Sequence, residues 1–181
     1  MPVIKPEFRG FPQTGQTSCH DVDGVEIKCT HSGQDAEFRC GLDWPVPRFD
    51  RDVDVVLDKL TGLYWHANAN LAEFPLEWAA AHRFIEQINV VAESGYDDWR
   101  LPNRRELRSL ISHQSRRPAL PADHPFDNVF AHWYWSSTTV AAHPDHAWCV
   151  NMDGGRMFYG GKDQAFMVWP VRGPGNGTIL N

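Results

Sequence analysis

No stretch of this chain approaches the ~20 consecutive apolar residues that a membrane-spanning helix requires, so no membrane span is expected. A basic surplus is also missing: 17 lysines and arginines stand against 23 aspartates and glutamates, for a net charge of −6. Nucleic-acid binding relies on a basic stripe that displaces counterions, and the balance here excludes it. Arg100, Arg104, Arg105, Arg108, Arg116 and Arg117 do form a local basic stretch, which reads as a solvated helix face. Cysteine is sparse, and none of the four cysteines forms a Cys-x-x-Cys pair, which excludes the familiar zinc and thioredoxin spacings. The Gly-x-Ser-x-Gly elbow of hydrolases is absent. Ser136 and Ser137 have no base paired with them by spacing, and short hydroxyls that lock a strand end account for them as well. Residues 1–10 lack the apolar centre of a signal peptide. Export or surface display then requires a leader that is not part of this sequence. That is the expected setting, with a cytoplasmic location as the alternative.

Aromatic residues, by contrast, are abundant. Eight tryptophans and ten phenylalanines occur in 181 residues, enough chain for one core but not for two large domains. Each such ring either fills a core or anchors an interface. Residues 1–43 are rich in Gly, Thr, Gln and Asp with little helical periodicity, and read as an extended arm or β-hairpin. Cys19 and Cys29 flank the Asp23-Gly24 turn signal, so a short loop sets them opposite one another and a cross-strand disulfide is expected. Four free thiols in a reducing compartment are the alternative.

Trp44-Pro45-Val46-Pro47 is a stiff entry into the main body, residues 44–173. Val53 to Leu57 and Leu63-Tyr64-Trp65 predict two strands around the Thr61-Gly62 turn. A helix is predicted from about Pro75 to just before Gly95, with Trp78, Ala81, Ile85 and Ile88 on its apolar face. A second follows Asn103, with Glu106 completing a capping box and Leu107, Leu110 and Ile111 as the buried stripe. Three prolines between Pro118 and Pro125 predict a loop. Trp133-Tyr134-Trp135 predicts a strand, and Ala147 to Asp153 alternates, placing Trp148, Val150 and Met152 inward and Cys149, Asn151 and Asp153 outward. After the Gly154-Gly155 turn, Arg156 to Tyr159 returns as its partner. Phe166 to Arg172 makes a last strand, and residues 174–181 a tail. Helices early and an antiparallel sheet late give an α+β class.

Several blocks in order resemble a known family. They are Asp58-Lys59-Leu60-Thr61-Gly62-Leu63-Tyr64-Trp65, then Asp97-Asp98-Trp99-Arg100-Leu101-Pro102-Asn103 with Glu106-Leu107. Tyr134-Trp135-Ser136-Ser137-Thr138 follows, and then Ala147-Trp148 with Pro170-Val171-Arg172. Together they resemble the DUF1566 family, the domain also found at the C-terminus of a Legionella collagen-like adhesin. The resemblance implies a C-type-lectin-like fold, two helices packed on an antiparallel sheet behind the N-terminal hairpin arm. It is distantly similar to formylglycine-generating enzyme and to the variable proteins of diversity-generating retroelements. It implies a framework role for the tryptophans and for Trp99-Arg100-Leu101-Pro102, and ligand contact on exposed segments between the later blocks. In a retroelement-diversified form, residues of the 139–166 region would be the varied set. Trp169 stands where the family commonly has arginine, which adds an apolar contact. The Glu-Pro-Asn and Trp-Asn-Asp signatures of calcium-dependent sugar binding are absent. The oxidase chemistry of the formylglycine enzyme needs a close cysteine pair, and Cys149 stands alone.

Candidate chemistry follows from these positions. Asp50, Asp52, Asp54 and Asp58 echo a calcium loop, but Val55 and Thr61 stand where that loop needs glycine and a bidentate glutamate. An acidic strand edge explains them better, so no metal and no cofactor is expected. His143-Pro144-Asp145-His146 reads as a solvated loop. The expected ligand-binding set is His143, His146, Cys149, Asn151, Asp153, Arg156, Phe158, Tyr159, Gln164 and Phe166. Aromatics and arginine among small polar neighbours compose a recognition surface. The expected function is therefore non-enzymatic adhesion or recognition of a protein or glycan ligand. The alternatives are an enzyme related to the formylglycine-generating oxidases and an oligomer-forming appendage subunit.

Overall fold

A computed structural model describes residues 10–173; the expected tail and the first nine residues of the arm lie outside them. In chain order, the arm contributes β1 (Cys19–His20), β2 (Glu26–Ile27) and a single helical turn, α1 (Asp35–Phe38). The body opens with β3 (Phe49–Asp52), β4 (Val55–Asp58) and β5 (Leu63–His66). Then come β6 (Leu76–Glu77), α2 (Trp78–Val90), a 3-10 turn (Glu93–Gly95) and α3 (Arg104–Ser109). The chain ends with β7 (Trp133–Val140), β8 (His143–Asn151), β9 (Met157–Gly161), β10 (Ala165–Phe166) and β11 (Val171–Arg172). The antiparallel sheets are β11-β5-β4-β3 and β7-β8-β9, with the small pairs β1-β2 and β6-β10. Mixed helix and antiparallel sheet make the class α+β.

The arm is a hairpin pinned at both ends. Asp21 Oδ1 accepts the N–H groups of Asp23 and Val25 across the turn, and Cys19 is bonded to Cys29. The Gln114 side chain ties the arm to the body, its Oε1 accepting the Thr17 N–H at 2.8 Å and its Nε2 donating to Ser18 Oγ at 2.8 Å. Gly15 lies at φ +80, and a side chain there would strike the Trp44 ring.

Two hydrophobic clusters divide the body. The first gathers Val56, Leu63, Trp65, Leu107, Leu110, Tyr134, Val150, Met152 and Trp169. The second sets Ala81, Ile85 and Ile88 of α2 against Trp99, Leu101, Trp135, Ala147, Cys149 and Val168. The β7–β8 pair lies between them. A strand covered on both faces loses its alternation of buried and exposed residues, which corrects the expected outward placement of Cys149 and Asn151: both are buried.

Three boundaries also differ from expectation, each for a local reason. The long helix starts at Trp78 rather than Pro75, because Leu76 and Glu77 pair with Phe166 and Ala165 and the Trp135 indole donates to Leu76 O at 2.8 Å. Residues 166–172 do not form one strand. They cross between sheets, with Met167 bonded to β7, and with Val171, which exchanges hydrogen bonds with Arg100, in register with Trp65 of β5. His143 to His146 is not a loop but the exposed first half of β8, tied by Lys162 Nζ donating to Pro144 O at 2.8 Å.

The sequence blocks act as framework. Asn89 brackets Trp99 with two hydrogen bonds of 2.8 Å, one to its N–H and one to its C=O. Arg100 forms a bidentate pair with Glu106 at 2.7 and 2.8 Å. The capping box of α3 is present, with Asn103 Oδ1 accepting from Arg105 and Glu106 and Glu106 accepting the Asn103 N–H. Arg48 and Asp58 form an ion pair with 3% and 0% of their side chains exposed, the guanidinium lying over the Trp44 and Phe49 rings.

His66 is also buried, at 3% exposure. The Asn68 N–H donates to its Nδ1 at 3.1 Å, leaving Nε2 to face Ser94 Oγ at 3.2 Å. Burial pushes this imidazole below its ordinary value near 6.5, against smaller opposing effects of Asn68 and Glu93. The unfolded chain then takes up the proton first as pH falls, so stability is full above the ordinary imidazole range and declines through it. Burial moves His82, His113 and His124 the same way. The urea midpoint is expected to drop between about pH 7 and pH 5, and His66→Gln to flatten part of the drop. An equal midpoint at both pH values would contradict this.

Candidate ligand-binding face

The inner half of β8 is covered by both clusters and Met157 at the start of β9 packs on the first, whereas the outer ends of the two strands run past the core, Ala147 being the last residue of β8 held in the second cluster. Register pairs Trp148 with Tyr159 and His146 with Gly161. Trp148 shares a face with Val150 but lies beyond the packed region and is only half-buried, contrary to its expected inward placement. Around Tyr159 the rings gather closely. His143 stacks at 6.2 Å, His146 meets it edge-on at 5.7 Å and Trp148 edge-on at 5.7 Å. Phe158, 55% exposed, stacks on Tyr159 at 4.6 Å with 13° between planes. From the first turn of α3, Arg104 lays its guanidinium on Trp148 at 4.6 Å.

Hollows flank this cluster on two sides. A groove of about 560 Å³ runs along Asn103, Arg104, Thr138, Thr139, Val140 and Trp148. A depression of about 630 Å³ is lined by Asp145, His146, Gly161, Lys162, Asp163 and Gln164. In the depression His146 Nδ1 lies 2.9 Å from Asp145 Oδ1, and this contact holds the Asp145 carboxyl below the usual carboxylate range. Lys162 is engaged inward, Nζ donating to Thr139 Oγ1 at 3.0 Å and lying over the Trp78 ring at 4.2 Å.

The expected site residues therefore divide. His143, His146, Phe158 and Tyr159 come together, with Gln164 beside them. Asp153 lies at the opposite end of the sheet, bonded to Arg116 at 3.2 Å and to Arg117, with Arg156 exposed near the same turn. Asn151 is a structural clamp, its Oδ1 accepting the Asp153 N–H at 2.7 Å. Burial pushes the Cys149 thiol up to about 12, too high for a nucleophile. Phe166 packs on Trp135 at 4.3 Å in the second cluster. Burial takes Cys149 and Asn151 off the exposed face, while Phe166, Asp153 and Arg156 stand apart from the ring cluster. Sequence reasoning missed Trp148, Arg104, Asp145, Lys162 and Asp163. Arg104 carried a usable signal, because it directly follows the capping residue Asn103.

Asp50 and Asp52 lie on β3, an edge strand, and line a separate hollow of about 400 Å³ with Asp54, Tyr64, Ser94 and Tyr96. Among the described residues no group of three His, Cys, Asp or Glu side chains is placed to hold a metal ion, and no helix is long and apolar enough to cross a membrane.

The family model of the Lcl C-terminal domain matches residues 54–172, from the turn before β4 to the end of β11. The chain belongs to the Lcl C-terminal domain family. This is the family that the ordered sequence blocks resemble. No curated protein matches the chain. The Lcl domain match includes the whole aromatic cluster and both flanking hollows, and leaves the disulfide-bonded arm outside it.

Proposed function

We propose that this chain is a non-enzymatic recognition domain of lectin-like fold, acting in adhesion at a cell surface. It binds a protein or glycan ligand through the outer halves of β8 and β9. The observation that carries the reading is the ring cluster of His143, His146, Trp148, Phe158 and Tyr159, which gathers at the surface instead of filling either core. Rings left together at a surface with a stacked arginine beside them have the composition of a binding hot spot. Membership of a family named for an adhesin's C-terminal domain supports it, as does a buried thiol unsuited to nucleophilic chemistry.

A glycan and protein-partner array with the parent and its variants tests this. Tyr159→Ala and Trp148→Ala are expected to weaken any ligand found by about thirtyfold, the loss of a hot-spot residue at ~2 kcal/mol. Asp153→Ala, at the far end of the sheet, is expected to bind as the parent does. Binding indifferent to both aromatic changes would place the site elsewhere.

A further inference from the structure

We infer that the open edge of β9 takes an extended peptide segment of a partner protein as an added strand, held backbone to backbone. The inference rests on the recognition reading and deepens it, naming a peptide as the ligand and the strand edge as its seat.

An edge strand invites pairing unless charge, proline, irregularity or a covering segment blocks it. The two main sheets end in β11, β3, β7 and β9, and the first three are blocked in such ways. β3 carries Asp50, Arg51 and Asp52 along its short length. β7 is covered, with the Trp135 N–H donating to Met167 O, the Met167 N–H to Trp133 O and the Ser137 N–H to Pro102 O. β11 is covered by Arg100, which exchanges backbone hydrogen bonds with Val171 in both directions. β9, Met157-Phe158-Tyr159-Gly160-Gly161, has neither a charge nor a proline, and β8 is its strand neighbour on one side alone among the described residues.

Register fixes which backbone groups this edge presents. The Asn151 N–H donates to Arg156 O, and the Lys162 N–H donates to Asp145 O. These bonds bracket β9, and because antiparallel bonding alternates along a strand, Phe158 and Gly160 also turn their backbone groups toward β8. Met157, Tyr159 and Gly161 therefore point their N–H and C=O groups outward. Gly161 agrees with this, its N–H donating to Gln164 Oε1 at 3.0 Å and its C=O accepting the Gln164 N–H. The outward N–H and C=O groups of Met157 and Tyr159 are bonded to no described residue. Donors and acceptors repeating every second residue match the repeat of an extended peptide chain.

Side chains give that peptide its chemistry. Phe158, 55% exposed, meets the added strand at a non-hydrogen-bonded position, where opposed side chains come closest. A β-branched or aromatic residue belongs opposite it. Arg156 is exposed at one end of the edge and Asp163 at the other, with the Asp163 carboxylate beside Gly161. An antiparallel peptide that begins with lysine and ends with glutamate complements both charges.

The test uses the full chain and a library of labelled heptapeptide amides, lysine first and glutamate last, with valine, isoleucine, threonine or tyrosine between. Fluorescence polarisation is expected to show binding, about fivefold weaker for the charge-reversed counterparts, as two exposed ion pairs allow. Asp163→Ala together with Arg156→Ala should erase that preference. N-methylation of the alternate peptide nitrogens that face β9 should weaken binding about tenfold or more, and methylation of the other set should not. By NMR amide exchange, bound peptide should slow Met157 and Tyr159 about tenfold and leave Phe158, already bonded to β8, unchanged. Absence of binding across the library, or binding without selective slowing at Met157 and Tyr159, overturns the inference. Peptide binding lost in Tyr159→Ala and Trp148→Ala but insensitive to N-methylation keeps the ring cluster as the site and removes the added strand. Selective slowing that survives both aromatic changes keeps the added strand and removes the ring cluster.

Discussion

Asp58→Ala is expected to cost about 3–5 kcal/mol of stability, because it strands a buried guanidinium. Arg48 Nε and Nη2 donate to Asp58 at 2.9 and 2.7 Å, and Nη2 also donates to Ser109 O at 2.7 Å. The same carboxylate accepts the Leu60 N–H at 3.1 Å and the Thr61 hydroxyl at 3.0 Å. Removing it therefore leaves a cation without its partner and frees the turn between β4 and β5. Arg48 already has Nη1 buried without a partner, so the site has no spare acceptor to offer. Urea unfolding of the variant beside the parent measures the effect. A loss under about 1 kcal/mol, the size seen for exposed pairs, would mean that water reaches the site.

Trp169→Ala is expected to cost a similar ~3–5 kcal/mol, through a cavity rather than a charge. Trp169 is fully buried and meets Trp65 at 5.6 Å, Phe126 at 4.9 Å and Tyr134 at 5.6 Å, while its indole donates to His66 O at 2.9 Å. It lies on the segment that crosses between the two main sheets, so its loss loosens both. Trp169→Phe keeps most of the volume but orphans the His66 carbonyl, and is expected to fall between parent and alanine variant. Thermal melting orders the three. An alanine variant that melts with the parent would show that neighbouring rings close the gap.

The elements legible in the sequence were those whose signal is local. The capping box at Asn103 and Glu106, the Cys19 and Cys29 hairpin, and the turns at Thr61-Gly62 and Gly154-Gly155 each depend on residues a few positions apart. The helix start at Trp78 was not legible, because the hydrogen bonds that hold Leu76 and Glu77 in a strand come from residues 135 and 165. The alternation along β8 misled for a related reason. Its period of two was real, but a second core closed over the face that the pattern left polar or small, taking in Cys149 while Asn151 turned to its own loop. In the candidate site, Tyr159 and the two histidines were legible as exposed chemistry. Trp148 and Arg104 were not, because their meeting depends on where α3 packs against β7 and β8.

The division of β8 into a covered half and an open half bears on how this domain could acquire new specificities. From Cys149 to Met152 nearly every side chain is locked between two cores, so exchanges there are paid in folding free energy. From His143 to His146, at Trp148 and across to Tyr159, most side chains touch mainly one another and water, Ala147 alone being sealed in the second cluster, and exchanges at the open positions alter the exposed surface while leaving the scaffold intact. One pair of strands thus keeps evolvability and robustness apart along its length, and a library randomised only at the open positions should fold as often as the parent.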